Sequence, residues 1–163
     1  MQDILILSTG GTFNKIYNPI NGNLDIDSSN KALKKIQKHW LSNFNYDSII
    51  NKDSLEFTNQ DRETLKEYIK KSSYKKIVVI HGTDTIHLSA KYLTDANLKK
   101  VIIFTGAMTP FSIDTIEATA NLAQALGYIK NTKDGVYISM NGVVDEYTKV
   151  IKNRQLGKFE LIN

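Results

Sequence analysis

Two short polar segments carry the residue types that chemistry needs. Residues 6–13, ILSTGGTF, end an apolar run in two glycines flanked by Thr9 and Thr12. Residues 81–85, HGTDT, end another apolar run and set Thr83 beside Asp84. A threonine hydroxyl is a weak nucleophile until a base or a strong local field activates it, so hydroxyls near a carboxylate and an amine are the combination to seek. Asp53-Ser54, TGAMTP (residues 105–110) and Lys149 in DEYTKV supply further polar groups after apolar runs. TGGT is no P-loop: the lysine after the second glycine and the four-residue spacing are both missing. It also departs from the G-x-G-x-x-G dinucleotide pattern. Taken alone, TGGT reads equally as a strand-ending turn, and Thr83 or Asp84 as a helix cap. His81 and His87 lack the paired spacing to a third ligand that a metal site needs, so no metal and no cofactor are expected. His81 is expected to pack or hydrogen-bond at its strand end.

Five short apolar runs must position these groups: residues 4–7, 47–50, 76–80, 101–104 and 136–139. Continuous, mostly β-branched runs of this length suit strands buried on both faces. Helical spacing fills the gaps between them. Leu33, Ile36 and Trp40 follow candidate caps Ser28 and Ser29. Thr58 and Asp61 stand in capping-box register ahead of Leu65, Tyr68 and Ile69. Ile86, Ala90 and Leu93 mark a third helix, and Ala118, Leu122, Ala125, Leu126 and Ile129 a fourth over roughly 114–130. The alternation predicts an α/β fold of three layers, α/β/α: a mostly parallel five-stranded sheet with helices on both faces, Rossmann- or flavodoxin-like. One domain over residues 1–163 is expected, with a long loop at 9–27 of the kind that is functional or mobile. In such sheets ligands bind beyond the carboxyl ends of the strands, where strand order reverses. A 2-1-3-4-5 order would set Thr12 opposite Thr83 and Asp84.

The net charge of +4 is spread over lysine pairs such as Lys34-Lys35 and Lys75-Lys76 rather than gathered in a stripe with aromatics, so no nucleic-acid partner is expected. The absence of cysteine excludes disulfides and thiolate metal sites. No run has the length of a membrane span and no leader pattern precedes the first strand, so a soluble cytoplasmic protein is expected.

TGGT, HGTDT and TGAM, in this order and at these separations, resemble the asparaginase family, specifically the bacterial-type threonine amidohydrolases. EATANLAQAL followed by GVYISMNG extends the likeness over nearly the whole chain. The resemblance implies that Thr12 is the nucleophile, with Thr83, Asp84 and Lys149 completing a second triad and Asp84 also binding the substrate amine. It further implies that Ser54 holds the substrate's α-carboxylate, that the Ala107 carbonyl accepts from the substrate amide, and that Tyr17 is the mobile tyrosine near the nucleophile. Leu55 stands where many members have glutamine. Backbone N–H groups of the two glycine loops, at Gly11 and Gly82, are the candidate oxyanion donors.

The function so implied is hydrolysis of a small carboxamide, asparagine- or glutamine-like, with release of ammonia. Lys149, its pKa lowered by burial, would draw a proton through Thr83. Family enzymes carry a second, smaller domain that completes the site of a neighbouring subunit, and no counterpart stands in this sequence. The alternatives are therefore a non-catalytic amino-acid-binding module, or an amidotransferase-type component that hands ammonia to a partner. A homo-oligomer, dimer or tetramer, is expected, with KNRQLGKFELIN reaching the neighbour.

Overall fold

The computed structural model describes residues 3–41 and 43–162. Its centre is a six-stranded sheet formed by β1 (Ile4–Gly10), β4 (Asn45–Lys52), β5 (Lys76–Ile80), β6 (Val101–Thr105), β7 (Gly135–Met140) and β8 (Val143–Glu146). The order is β4-β1-β5-β6-β7-β8. The five strands expected from the sequence are parallel and in the 2-1-3-4-5 order, and β8 is an antiparallel edge added by a tight return from β7.

Alternation within each central strand feeds two cores. Ile4 and Ile6 of β1, Val78 and Ile80 of β5, and Ile103 of β6 face one side. There they meet α1 (Lys31–His39) and α4 (Thr115–Tyr128). Leu5, Leu7, Ile77, Val79, Ile102 and Phe104 face the other, against α2 (Asn59–Lys71) and α3 (Ile86–Asp95). A side-chain period of two with both faces covered is why these runs read as uninterrupted apolar stretches.

Helix starts follow local polar chemistry. Thr58 and Asp61 form the expected capping box on α2. The start of α1 differs from expectation: neither Ser28 nor Ser29 caps it. Asn30 occupies the cap in a left-handed conformation (φ +58°), and the Asp27 carboxylate reaches forward to accept the Lys31 N–H at 3.1 Å. The segment expected as one long loop at 9–27 contains a 3-10 turn at Thr12–Asn14 and a small antiparallel hairpin, β2 (Lys15–Tyr17) with β3 (Leu24–Ile26). Beyond β8 the chain forms a second hairpin, β9 (Val150–Asn153) with β10 (Lys158–Leu161). No helix among the described residues is long and apolar enough to cross a membrane.

Candidate active site

Strand order reverses between β1 and β5, and the loops leaving those two strands touch. Gly11, at φ +74° and ψ −177°, lies flat against Gly82: a Cβ on Gly11 would fall 2.5 Å from the Gly82 nitrogen. Only glycine adopts this backbone conformation readily, and only glycine leaves room for the neighbouring chain. Gly82 in turn rests on Ser54, where a Cβ would fall 2.5 Å from the serine Cβ. The seam brings Thr12 and Thr83, each the next residue along its loop, to the same junction. Thr12 is half-buried, and no hydrogen bond among the described residues engages its hydroxyl.

Neither Thr83 nor Asp84 caps α3. Its cap is Thr85, whose hydroxyl donates instead to the Ser54 carbonyl at 2.7 Å. The Ser54 hydroxyl accepts the Asp84 N–H at 3.2 Å, so the turn that begins at Asp53 and the HGTDT loop are tied twice. Asp84 and Thr83 are thereby left to face a lysine. That lysine is Lys152: its Nζ donates to Thr83 Oγ1 at 2.8 Å and to Asp84 Oδ1 at 2.9 Å. The Lys152 ammonium, then Arg154, hold the Asp84 carboxyl below its ordinary range against the opposing effect of burial.

Lys149, expected here, lies elsewhere. It sits in the 3-10 turn before β9, pairs with Asp145 at 3.4 Å, and its side chain is 54% exposed. The reason is parity. Val150 and Lys152 share the inward face of β9, with Val150 buried and the Lys152 side chain 14% exposed. Lys149 is an odd number of residues from that face.

The remaining expected residues divide. Ser54 and Ala107 are fully buried in the loop cluster. Gly82 is at the seam, but the Gly11 N–H already donates to the Lys52 carbonyl at 3.0 Å, so it is not free for an oxyanion. Tyr17 ends β2, pairs across the hairpin with Leu24, and is 61% exposed with no hydrogen bond to Thr83, Asp84 or Lys152 among the described residues.

His81 packs and hydrogen-bonds at its strand end. It is fully buried, tilted on Phe57 with ring centres 4.5 Å apart, and linked to the Gly82 carbonyl and to Ser89 Oγ at 2.8 and 2.9 Å. A carbonyl can only accept, so Nδ1 carries the proton and Nε2 accepts from Ser89. Burial pushes the His81 pKa down to about 4, which keeps this arrangement neutral.

Two positioning residues escaped sequence reasoning. The Glu117 carboxylate accepts the Met108 and Thr109 N–H groups at 2.9 Å, and buried Asn121 donates to the Gly106 carbonyl at 3.0 Å while accepting the Asn141 N–H. Together they fix the loop bearing Ala107. The available signal was a glutamate and an asparagine four apart on α4, one turn apart on the same side of the helix.

A cleft of about 330 Å³ opens beside Asp84, with Lys152, Arg154, His87, Tyr147 and Phe159 among its walls. A roomier cleft of about 510 Å³ lies between α1 and the start of α4, lined by Phe13, Lys15, Lys35 and Phe111, and holds none of the expected site residues. No cluster of three or more metal-ligating side chains occurs among the described residues.

Comparison with known proteins agrees with this fold. The L-asparaginase of Thermococcus kodakarensis is 26% identical over 167 residues, which cover 98% of this chain and 51% of that protein. Its solved structure, a thermostable L-asparaginase, superposes with a TM-score of 0.86 over 100% of this chain and 52% of its own. A glutamyl-tRNA(Gln) amidotransferase component of Methanococcus vannielii is 33% identical over 85 residues, 52% of this chain and 20% of that protein. The chain thus spans about half the length of the L-asparaginase it matches. The family model described as Asparaginase, N-terminal, matches residues 3–159, and the chain belongs to that family.

Proposed function

We propose that this chain is the nucleophile-bearing part of an asparaginase-type amidohydrolase acting on a small, asparagine- or glutamine-like carboxamide. The supporting observation is the Lys152–Thr83–Asp84 cluster set across the Gly11–Gly82 seam from Thr12. Thr12 Oγ1 attacks the carboxamide carbon, and its proton passes to Thr83 Oγ1, which yields its own to Lys152. Accepting that proton requires Lys152 as the free amine, since an ammonium can donate to Thr83 but cannot accept. Proton return to the leaving nitrogen expels ammonia, and water then cleaves the Thr12 ester to a carboxylate. Asp84 holds Lys152 in register and offers its second oxygen to the substrate. Ser54 and the Ala107 carbonyl take the carboxylate and the amide, Gly82 N–H the oxyanion, and Tyr17 closes over the nucleophile.

The test is ammonia release from a panel of carboxamides. Thr12→Ala should lose at least about 10³-fold in turnover, since no other hydroxyl replaces the nucleophile. Its circular dichroism and melting should stay unchanged, as the hydroxyl makes no internal bond. Turnover equal to the parent would overturn the assignment. The amidotransferase relative favours a second reading, in which the same chemistry delivers ammonia to a partner. Free ammonia from the isolated chain at a steady rate argues against it.

A further inference from the structure

Asn141 opens the two-residue turn that joins β7 to β8, and both turn residues have positive φ, +49° at Asn141 and +85° at Gly142. Such a turn asks only for residues that tolerate the left-handed region, and asparagine, aspartate or glycine would serve. The Asn141 side chain, however, bonds to two other elements. Its Nδ2 donates to Glu117 Oε1 on α4 at 3.2 Å, and its Oδ1 accepts the Phe159 N–H of β10 at 3.2 Å. A carboxylate only accepts and an N–H only donates, so the amide has one orientation here.

Each end of this link leads to the site. At one end, Glu117 accepts the Met108 and Thr109 N–H groups and Asn121 donates to the Gly106 carbonyl, so the loop is held on both sides of Ala107. At the other end, Phe159 is the register partner of Lys152 across the β9–β10 hairpin. The ladder bond from the Ile162 N–H to the Lys149 carbonyl sets the parity of that hairpin. Counting from it, Lys152 and Phe159 form a non-hydrogen-bonded pair, with Cα atoms about 4.5 Å apart and side chains at their closest. The Phe159 N–H therefore points away from β9, towards Asn141, while its ring is buried beside the Lys152 stem. β9 and β10 form a sheet of their own, outside the central six strands, so ties of this kind set where the hairpin rests.

We propose that Asn141 is a positioning residue of this site, coupling the hairpin that carries Lys152 to the loop that carries Ala107. Its kinetic consequence rests on the amidohydrolase reading. In that reaction the Lys152 amine and the Ala107 carbonyl act on one substrate at once, and a misplacement of about 1 Å between catalytic groups costs about 10²-fold. Loss of an exposed link loosens the two elements rather than separating them, so a loss of about tenfold is expected.

The experiment uses three variants. Asn141→Gly keeps a residue suited to positive φ and deletes the link. Asn141→Asp sets a carboxylate against Glu117, and Asn141→Asp/Glu117→Gln restores a donor facing an acceptor. Hydrogen exchange is followed at the Ile151 and Glu160 amides, which the same parity places in the β9–β10 ladder, and at Met108 and Thr109. Ammonia release from L-asparagine and L-glutamine is followed beside it. Asn141→Gly should speed exchange about tenfold at both the hairpin and the Ala107 loop, leaving β5 unchanged. In an active parent it should lower kcat about tenfold with KM within about threefold. Asn141→Asp should lose at least as much, and the paired variant should return to within about threefold of the parent in both measurements. Exchange that moves less than twofold at either element, or a kcat within twofold of an active parent, would overturn the proposal. Losses that the paired variant fails to recover would also overturn it, since they would assign Asn141 to the turn alone. If the parent releases no ammonia from either amide, the amidohydrolase reading falls, and exchange with its recovery decides the coupling by itself.

Discussion

The lysine that the motif indicates and the lysine that the fold supplies are three residues apart, and two substitutions separate them. Lys152→Met keeps the length and apolar stem of the side chain while removing the amine that reaches Thr83 at 2.8 Å and Asp84 at 2.9 Å. Hydrogen bonds to charged groups contribute about 1.5–3 kcal/mol. Asp84 retains Arg154 and is 29% exposed, so solvent screening reduces the stability cost to about 1–2 kcal/mol. The effect on turnover is larger, because a proton acceptor placed on Thr83 contributes about 10²–10⁴-fold. Lys149→Met removes only an exposed pair at 3.4 Å with Asp145, worth at most about 0.5 kcal/mol, and should leave turnover within about twofold. Ammonia release measured by a coupled assay, beside thermal melts of both variants, gives the comparison. A dead Lys149→Met beside an active Lys152→Met would refute the geometric argument. It would mean that the β9–β10 hairpin works in another register, with Lys149 turned inward.

Two further expectations concern the scaffold. Gly11→Ala puts a methyl 2.5 Å from a backbone nitrogen in a conformation only glycine tolerates, so it should cost at least about 3 kcal/mol in a denaturant titration; a loss below about 1 kcal/mol would mean that the seam yields. His81 takes up its proton at about pH 4 in the folded chain but near 6.5 when unfolded. Stability is thus fully present above pH 6.5 and falls as the pH drops to about 4, by about 3 kcal/mol at about 1.4 kcal/mol per pH unit. His81→Gln should flatten that slope, and parallel slopes for parent and variant would assign the loss to other groups.

The sheet was legible because burial on both faces writes itself into composition. A strand such as β5, KIVVI, must be apolar at every position facing either core, and five such runs separated by helical spacing leave one economical topology. The short outer strands lack that constraint. β8, β9 and β10 are four residues each, with β9 carrying Val150 inward and Ile151 outward between lysines, so no run stands out. The hairpin inside residues 9–27 is three residues per strand and largely exposed, and it reads as loop for the same reason.

The same difference governs the site. Thr12, Thr83, Asp84 and Ser54 sit within a residue or two of glycines or strand ends, where backbone geometry limits where a side chain can go, and their loops meet as the strand order requires. Lysine and arginine have no such constraint. Four or more rotatable bonds let a side chain anywhere on the covering hairpin reach Asp84, and which one does so depends on strand parity and turn shape. Those are set by Asn153 bonding within its own turn and by the pairing of β9 with β10, each a contact between residues that composition leaves unmarked. A carboxylate fixed by glycine-tight loops and cations delivered by a separate hairpin also have different evolutionary freedom: the first cannot move without breaking the seam. The second can change a charge at little cost to the fold, since Arg154 is exposed and outside both cores. Thr12, Thr83 and Asp84 are therefore held by the loops of the sheet, while the cations that meet Asp84 come from the hairpin.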